Sequence, residues 1–536
     1  MRGVERLFEI GHQVAEWATA QRNYDDDTAR EAIWREAAGS KSDETQFALS
    51  LHNLGSALDK TDWPAETITA APGIGAEPGL GDRPEAAYDD SLQVSHDDPR
   101  DDQRRDQRRL LWKASIALFL VSEIGRLFYV FAILPSTPMG LAAEPSRIAV
   151  SLATTGRFAN PYKIETGYTA HMAPLQPLLL SGMFRVFGMG RGAERAKEVM
   201  NSTFRALRDG MMPALAVSLG LSLPVGILAA AISMWPMSPL EIVSSFEAAN
   251  SAALLLLATI LSLRHGWRAA VSRRWLVAEG LLWGVILLFN PALLPVLAAL
   301  VLAALWQYGR FSAGPFLKSL MGMLLVTSLI AGPWIIRNYQ RFDSFIFIRD
   351  NLGLELQISN NDRAEPTFWR NVLVMRHPNL DEDEAAMVKQ LGEVEYNRRK
   401  RQAAVAWIRA NPGKFWKLTR KRFLYFWFPP DFGRFYRYPL WMITAAGFAG
   451  LVRLILRGEP GALPISLILL IFPITYYVVQ TDGRYRDPVY TFSVLPAAYL
   501  VCNLKFRLRR GIQRIRPRQV QKVQLLKIKT RAGRLG

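Results

Sequence analysis

The sequence predicts an all-α polytopic membrane protein that crosses the bilayer about ten times, each crossing needing about 20 apolar residues. Two observations predict it. Half of the 536 residues are hydrophobic and 21% are charged, averages of an ordinary globular chain, yet the two kinds are segregated into blocks. The basic surplus, net +18, gathers in short connections between the apolar blocks, where membrane topology places it. The same distribution argues against nucleic acid as a partner, which would call for a basic face on a polar domain.

Residues 1–109 stand apart. MRGVERLFEIGHQVAEWATAQ puts Val4, Leu7, Phe8, Ile10, Val14 and Trp17 roughly on one side of an amphipathic helix, and lacks the unbroken apolar core of a cleaved signal peptide. Insertion is therefore expected to start with a later segment, near Leu110. The following stretches, Asp25-Asp26-Asp27, APGIGAEPGLGDRPEAAYDD and HDDPRDD, bury too little apolar surface to offset their ordering entropy. A mostly disordered cytoplasmic extension is the expectation.

The transmembrane domain is expected over 110–505. Candidate spans lie near 111–134, 173–188 with its flanks, 211–234, 240–263, 275–290, 291–307, 317–336, 438–456, 461–480 and 488–505. Basic residues fall in every second connection, beginning with Arg104, Arg105, Arg108 and Arg109 before the first span. Next come Arg185, Arg191, Arg195 and Lys197; then Arg264, Arg268, Arg273 and Arg274; then Arg310 and Lys318; then Arg453 and Arg457. This alternation puts both termini in the cytoplasm, with 506–536 as a basic tail. It leaves two long outer loops, 135–172 and 337–437, the second reading as helices that enter the interface through a Trp- and Tyr-rich stretch.

The first outer loop carries Glu144 just ahead of an amphipathic stretch. Attack on an activated sugar by a poor nucleophile needs a base for the acceptor's proton, and a carboxylate at the membrane surface suits that role. A solvated loop carboxylate is the plain alternative. The single cysteine, Cys502, sits in an apolar run and excludes an intramolecular disulfide or a cysteine metal site. Six histidines are scattered and no acidic cluster lies on an outer face, so no metal or cofactor is expected.

Several stretches carry a resemblance in their order over roughly 110–505. They are Glu144-Pro145-Ser146-Arg147-Ile148-Ala149, Gly156-Arg157-Phe158-Ala159-Asn160-Pro161-Tyr162, and Thr166-Gly167-Tyr168-Thr169-Ala170-His171 with Pro174-Leu175. Further on come Gly332-Pro333-Trp334-Ile335-Ile336-Arg337-Asn338-Tyr339, Asn351-Leu352-Gly353-Leu354-Glu355-Leu356 with Asn360-Asn361, and Tyr476-Tyr477 with Arg484-Tyr485-Arg486-Asp487-Pro488. In these the chain resembles the GT-C superfamily of membrane glycosyltransferases. The branch is that of glycosyltransferase family 39, the dolichyl-phosphate-mannose protein mannosyltransferases, and of the aminoarabinose transferase of lipid A.

The resemblance implies a GT-C-like helix bundle in a bacterial inner membrane. It implies inverting transfer of a sugar from a polyprenyl-phosphate donor to a lipid, protein or glycan acceptor at the outer, periplasmic face. It makes Glu144 the catalytic base and places Arg147 beside it. The commoner acid there is Asp, often followed by a second acid where this chain has Pro145, and Glu165 stands as the reserve acid. Arg337, Arg484 and Arg486 are expected at the outer ends of spans, where Arg forks bind an anionic phosphate or snorkel to headgroups. His171 is a candidate for orienting a phosphate or sugar hydroxyl. Asn360 and Asn361 are candidates for sugar hydroxyls, a polar turn being the alternative. Asp482 and Asp487 are read as balancing the arginines, and Glu123 with Arg126 as a pair within the first span. Gly188–Gly192 only faintly resembles a phosphate loop, and Asn201-Ser202-Thr203 is a glycosylation triplet on the cytoplasmic side of the expected topology. The rival class is a transporter or flippase of a lipid-linked or polar solute, and a weaker one is a membrane scaffold docking through the N-terminal region.

Overall fold

Two acidic residues inside the bundle, Asp209 and Asp487, sit where helices from distant parts of the chain converge. They appear in a computed structural model that describes residues 99–134, 140–141, 143–235, 246–266, 273–308, 313–368, 370–371 and 375–504. The N-terminal extension through residue 98 and the basic tail from Lys505 lie outside the described residues. The chain divides into two units, Met1–Asp106 and Gln107–Gly536. Of the first, only 99–106 are described, the opening of helix α1 (Pro99–Phe128).

Among its described residues the second unit is helical, apart from two isolated bridges, Ala159 with Tyr168 and Thr367 with Thr481. α1 continues through a π-helical stretch, Tyr129–Ile133, and α2 (Glu144–Thr155) and α3 (Leu175–Phe187) follow. α2 and α3 lie side by side and run the same way. Ala149 shares an apolar cluster with Leu180 and Phe184, and Arg185 donates to the Leu152 carbonyl at 2.9 Å. α4 (Arg191–Ser218) runs back along α1: Arg195 donates to the carbonyls of Val130 and Leu134, whereas Gly210 packs on Ser115 and Phe119.

This corrects the expected second span at 173–188. The 13 residues of α3 rise about 20 Å, short of the roughly 30 Å hydrocarbon core, while the 28 residues of α4 reach about 42 Å. The expected single span at 211–234 is also two elements. α4 ends, the chain turns at Gly220 with φ +79°, and α5 (Leu223–Ser233) returns. α4 thus runs the length of α1, and α5 returns beside α4. Arg185, Arg191, Arg195 and Lys197 consequently lie on the same face as the long loops rather than opposite it.

The remaining passes alternate. α6 (Phe246–Leu261), α7 (Arg273–Phe289), α8 (Leu294–Tyr308) and α9 (Ala313–Phe342) lead to the second long loop. That loop holds α10 (Leu352–Ser359), α11 (Glu382–Leu391), α12 (Glu393–Ala410) and α13 (Pro412–Trp427). α14 (Arg434–Leu456), α15 (Ala462–Ile471), α16 (Ile474–Val478) and a last helix over 483–504, α17, close the bundle. Four stretches among the described residues are long and apolar enough to cross a membrane: Arg105–Ile133, Glu247–Arg264, Phe316–Phe342 and Arg434–Leu456. The loop face carries both long loops. The opposite face carries the Gly220 turn, against Pro460, and the Arg457–Asn503 hydrogen bond.

Charges in an apolar bundle have to be paired. Asp209 on α4 accepts from Ser122 at 2.8 Å, Arg126 at 3.2 Å and Ser233 at 2.9 Å, and Asp487 on α17 meets Arg208 at 3.0 Å and Arg205 at 3.1 Å. This network ties α1, α4, α5 and α17 together. Arg126, expected to pair with Glu123, meets Asp209 at 3.2 Å, and Glu123 accepts from Thr203 at 2.9 Å. Asn201 and Ser202, expected on a cytoplasmic connection, are fully buried within α4.

Small residues set the closest crossing. A Cβ on Gly450 of α14 would lie 1.9 Å from the Pro496 carbonyl oxygen of α17, and one on Gly447 would lie 2.5 Å from that of Ser493. Backbones approach this closely only where side chains are absent. Gly450→Ala is expected to destabilise the bundle by about 3 kcal/mol, seen as a lowered melting temperature in detergent, while Gly332→Ala, with no atom within 4 Å of its Cβ, leaves it unchanged.

Candidate active site

Glu144 is the first residue of α2, with Pro145 next to it. Both suit a helix start: proline lacks an N–H that would have no intrahelical partner there, and a carboxylate is favoured by the helix dipole. The residue standing where a second acid was looked for therefore fixes the direction in which α2 begins. α2 ends on Gly156 in the left-handed region, φ +70°. The chain then doubles back, with the Asn160 amide donating to the Gly167 carbonyl at 2.9 Å and that of Thr169 to Phe158 at 3.2 Å. This short antiparallel excursion returns His171 to the start of α2.

There His171 Nε2 lies 3.2 Å from Glu144 Oε2, with the histidine 1% exposed and the glutamate side chain 21% exposed. The Tyr162 hydroxyl is 2.9 Å from His171 Nδ1, so in the neutral ring the hydroxyl donates to Nδ1 and the ring proton sits on Nε2, toward Glu144. From the second long loop, His377 Nε2 stands 3.5 Å from Glu144 Oε1. The Asn379 amide donates to His377 Nδ1 at 3.1 Å, which again leaves the neutral ring's proton on Nε2. The two oxygens differ: Oε2 is fixed by His171, while Oε1 is buried without a hydrogen-bond partner.

The electrostatics follow from this geometry. Burial pushes the Glu144 carboxyl up, but His171 first, then His377 and Arg349, outweigh it and hold it down at about 2. Burial opposes charge on His171, but Glu144 wins and holds the imidazole above its ordinary value. For His377 burial prevails, and the ring is held below its ordinary value. Glu144 is thus an ionised carboxylate between one imidazole biased toward charge and one biased toward neutrality.

Polar residues of the second loop surround this centre. Arg349 Nε donates to Asn351 at 2.9 Å and its Nη1 stands 4.0 Å from Glu247 at the start of α6. Gln480 donates to Glu355 at 2.8 Å and accepts from Asn371 at 2.9 Å. Glu393, opening α12, clamps the first loop to the second: its Oε1 accepts the Ala170 amide at 2.7 Å and its Oε2 faces the Thr169 hydroxyl at 2.5 Å. Among the described residues, no group of three or more His, Cys, Asp or Glu is placed to hold a metal ion.

The expected site residues separate into two sets. Glu144 and His171 are brought together. Arg147 is half-buried on α2, its amide donating to the Ala143 carbonyl at 3.0 Å. Arg337 gives Nη1 to the Thr169 carbonyl at 2.8 Å and Nη2 to that of Phe158 at 3.1 Å, and lies 4.7 Å from the Trp334 ring centre. It holds the first loop in shape. Arg486, 1% exposed, donates to the Trp427 carbonyl at 3.0 Å and to Thr444 at 2.8 Å. Arg484 lies over the Phe368 ring at 4.6 Å, and its Nε is 3.8 Å from Asp482. Asp487, read as balancing the neighbouring arginines, pairs with Arg205 and Arg208 of α4.

Asn360 donates to the carbonyls of Leu356 at 2.9 Å and Val478 at 3.2 Å, and Asn361 to those of Gln357 and Ile358, each at 2.9 Å. Both amide groups thereby satisfy carbonyls around the end of α10, the polar-turn alternative. Glu165 is exposed, away from the buried centre. Sequence reasoning missed His377, Arg349, Tyr162 and Glu393. His377 and Arg349 carry no local pattern, Tyr162 closes a stretch that carries the resemblance but was given no role, and Glu393 reads as an ordinary first-turn acid of a helix.

No family model matches the chain, and no curated protein matches it. Solved structures similar to it include the oligosaccharyltransferase AglB of Archaeoglobus fulgidus in complex with an inhibitory peptide and a dolichol-phosphate. That likeness is 13% identical with a TM-score of 0.44, over 75% of this chain and 52% of that one. The Archaeoglobus fulgidus oligosaccharyltransferase with Zn and sulfate is 14% identical with a TM-score of 0.42, over 73% and 49%. ArnT of Cupriavidus metallidurans bound to undecaprenyl phosphate is 14% identical with a TM-score of 0.32, over 72% of this chain and 77% of that one. The chain thus spans about half the length of the archaeal enzymes. At this level of similarity its own residues have to make the functional case.

Burial pushes the Glu393 carboxyl up to about 7 from an ordinary 4.5. The folded state therefore binds this proton more tightly than the unfolded one, and its contribution, full below about 4.5, is lost as pH rises through about 7. Glu393→Gln keeps an acceptor for Ala170 and is expected to remove up to about 3 kcal/mol of this pH dependence. Melting curves at pH 5 and pH 8 should then lie closer together for the variant than for the wild type.

Proposed function

We propose that this protein is an inverting membrane glycosyltransferase that moves a sugar from a polyprenyl-phosphate donor to an acceptor hydroxyl at the loop face. The single observation that carries the reading is the divided environment of Glu144. One oxygen is pinned by His171, and the other, buried with no hydrogen bond and with His377 Nε2 standing 3.5 Å away, takes the acceptor's proton. The acceptor oxygen forms the new bond to the anomeric carbon as the bond from that carbon to the phosphate oxygen breaks. The proton passes to Glu144 Oε1 and the electron pair leaves on the lipid phosphate. His171, biased toward its charged form, offsets the charge of Glu144 before transfer and keeps the carboxylate oriented.

Phosphate recognition falls to Arg349 and Arg484, which both face Glu247 at the mouth of the bundle. Arg337 donates to the carbonyls of Thr169 and Phe158, Arg486 to the Trp427 carbonyl and the Thr444 hydroxyl, and both act by positioning the loops. Cations near the leaving group stabilise charge where it grows in the transition state. A polyprenyl donor would reach them from the bilayer, and the loop over 343–433 would select the acceptor among lipid, protein and glycan hydroxyls. The membrane is taken to be a bacterial inner membrane, with the loop face periplasmic.

One observation favours the transporter reading, the ionisable cluster of Asp209, Asp487 and their arginines within the bundle. Its members are at most 8% exposed, so it offers a solute no open route.

The test is release of free polyprenyl phosphate from short-chain polyprenyl-phosphate sugars by purified protein. Glu144→Gln should reduce release about 10²–10⁴-fold with the melting temperature preserved. Equal release from the variant would remove Glu144 from the chemistry, and no release from wild type with any sugar and acceptor would favour transport. A second variant reads the coupling. His171→Gln removes the largest influence holding Glu144 down, so the acidic limb of the pH–rate profile should move to higher pH.

A further inference from the structure

α13 presents two unlike faces. On one, Arg422 is buried and donates to the carbonyls of Ser359 and Val478 and to Asn360 Oδ1, with Phe426 packed beside it. This face pins the helix across the loop-face end of α16. The other face repeats at helical spacing: Trp416, Lys417, Thr419, Arg420 and Phe423, which with Tyr477 line a groove of about 630 Å³. Trp416 is 69% exposed and Phe423 46%, with the Phe423 ring 5.2 Å from that of Tyr477.

The groove's charge is one-sided. PGKFWKLTRKRFLYFW contains five basic residues and no acid. Lys414 is engaged by Asp362 at 2.8 Å and Arg422 by the carbonyls it caps, whereas Lys417 and Arg420 have no acidic partner among the described residues. The Thr419 hydroxyl is buried in the groove wall without a hydrogen bond. Exposed aromatics beside unpaired cations, on a helix ending next to the span α14, form the pattern of a surface lying in a bilayer interface.

We propose that this groove is a binding site for an anionic phospholipid of the loop-face leaflet. The headgroup phosphate is taken by Lys417 and Arg420 with the Thr419 hydroxyl donating to it, and an acyl chain lies against Phe423 and Tyr477. An uncharged patch would serve any lipid, but two cations without protein counter-charges select a phosphate lacking a compensating choline. The site is independent of Glu144 and does not depend on the transferase reading. A bound lipid here would brace α13 and, through Tyr477 and its neighbour Tyr476, the Tyr476–Tyr485 stack at 4.7 Å.

The experiment places full-length protein in phosphatidylcholine nanodiscs with and without phosphatidylglycerol, and counts retained lipids by native mass spectrometry. Wild type is expected to retain phosphatidylglycerol at least about 10-fold over phosphatidylcholine and to melt at a higher temperature when it is present. Lys417→Gln with Arg420→Gln should lose both effects, while a control pair on α12, Arg398→Gln with Arg399→Gln, keeps them. Undiminished selectivity in the groove variant overturns the site. Equal loss in both variants overturns it too, since only general surface charge would then be at work. Displacement of the lipid by millimolar inorganic phosphate would show a free-ion site and likewise overturn the assignment. Should the groove variant fold poorly, Phe423→Ala offers a second reading, with weaker retention at unchanged headgroup preference.

Discussion

Pairing of charge inside the bundle is the constraint on which the rest of this structure depends. Asp209 and Asp487 are buried, so Asp209 is met by Arg126 and the hydroxyls of Ser122 and Ser233, and Asp487 by Arg205 and Arg208. That requirement binds α4 lengthwise to α1 and makes α4 the returning pass. Since α4 runs the length of α1, α3 need not, and it stays beside α2 on the loop face. The stretch between them is then short enough to fold His171 back onto Glu144.

The site is built from loops, yet its groups are held as firmly as helical ones. Arg337 closes the first loop through two carbonyls, and Glu393 closes the same loop from the other side through an amide and a hydroxyl. Both side chains are used against backbone, and the charge-assisted hydrogen bonds of Arg337 do most to fix a segment without secondary structure of its own. The consequence for chemistry is orientation. Glu144 presents one oxygen to His171 at 3.2 Å and the other, without a hydrogen bond, to His377 at 3.5 Å, and that asymmetry would vanish if the loop could slide.

α13 uses its buried face to cap the end of α16 and turns cations and aromatic rings outward on its exposed face. The aromatic pairs of Tyr476 and Tyr477 stand between this surface and the polar region around Arg484 and Glu247.

From the sequence alone, the helical class and the place of Glu144 at a helix start were legible. Each of these is a local property, a sum of hydropathy over a window or a residue type at a helix boundary. Which segment between 173 and 218 crosses was not legible, because a hydropathy sum counts Glu194, Arg205, Arg208 and Asp209 as costs and cannot see that partners on other helices cancel them. His377 and Arg349 were hidden for the same reason. Their value lies in distance to Glu144, set by packing between segments far apart in the chain. The roles of Arg337, Arg486, Asn360 and Asn361 were likewise decided only in three dimensions. A donor's chemistry is written in the residue, but which carbonyls need it is settled when helices end and loops close. Sequence determined which groups are present and roughly at what depth; tertiary structure decided which of them were already spent.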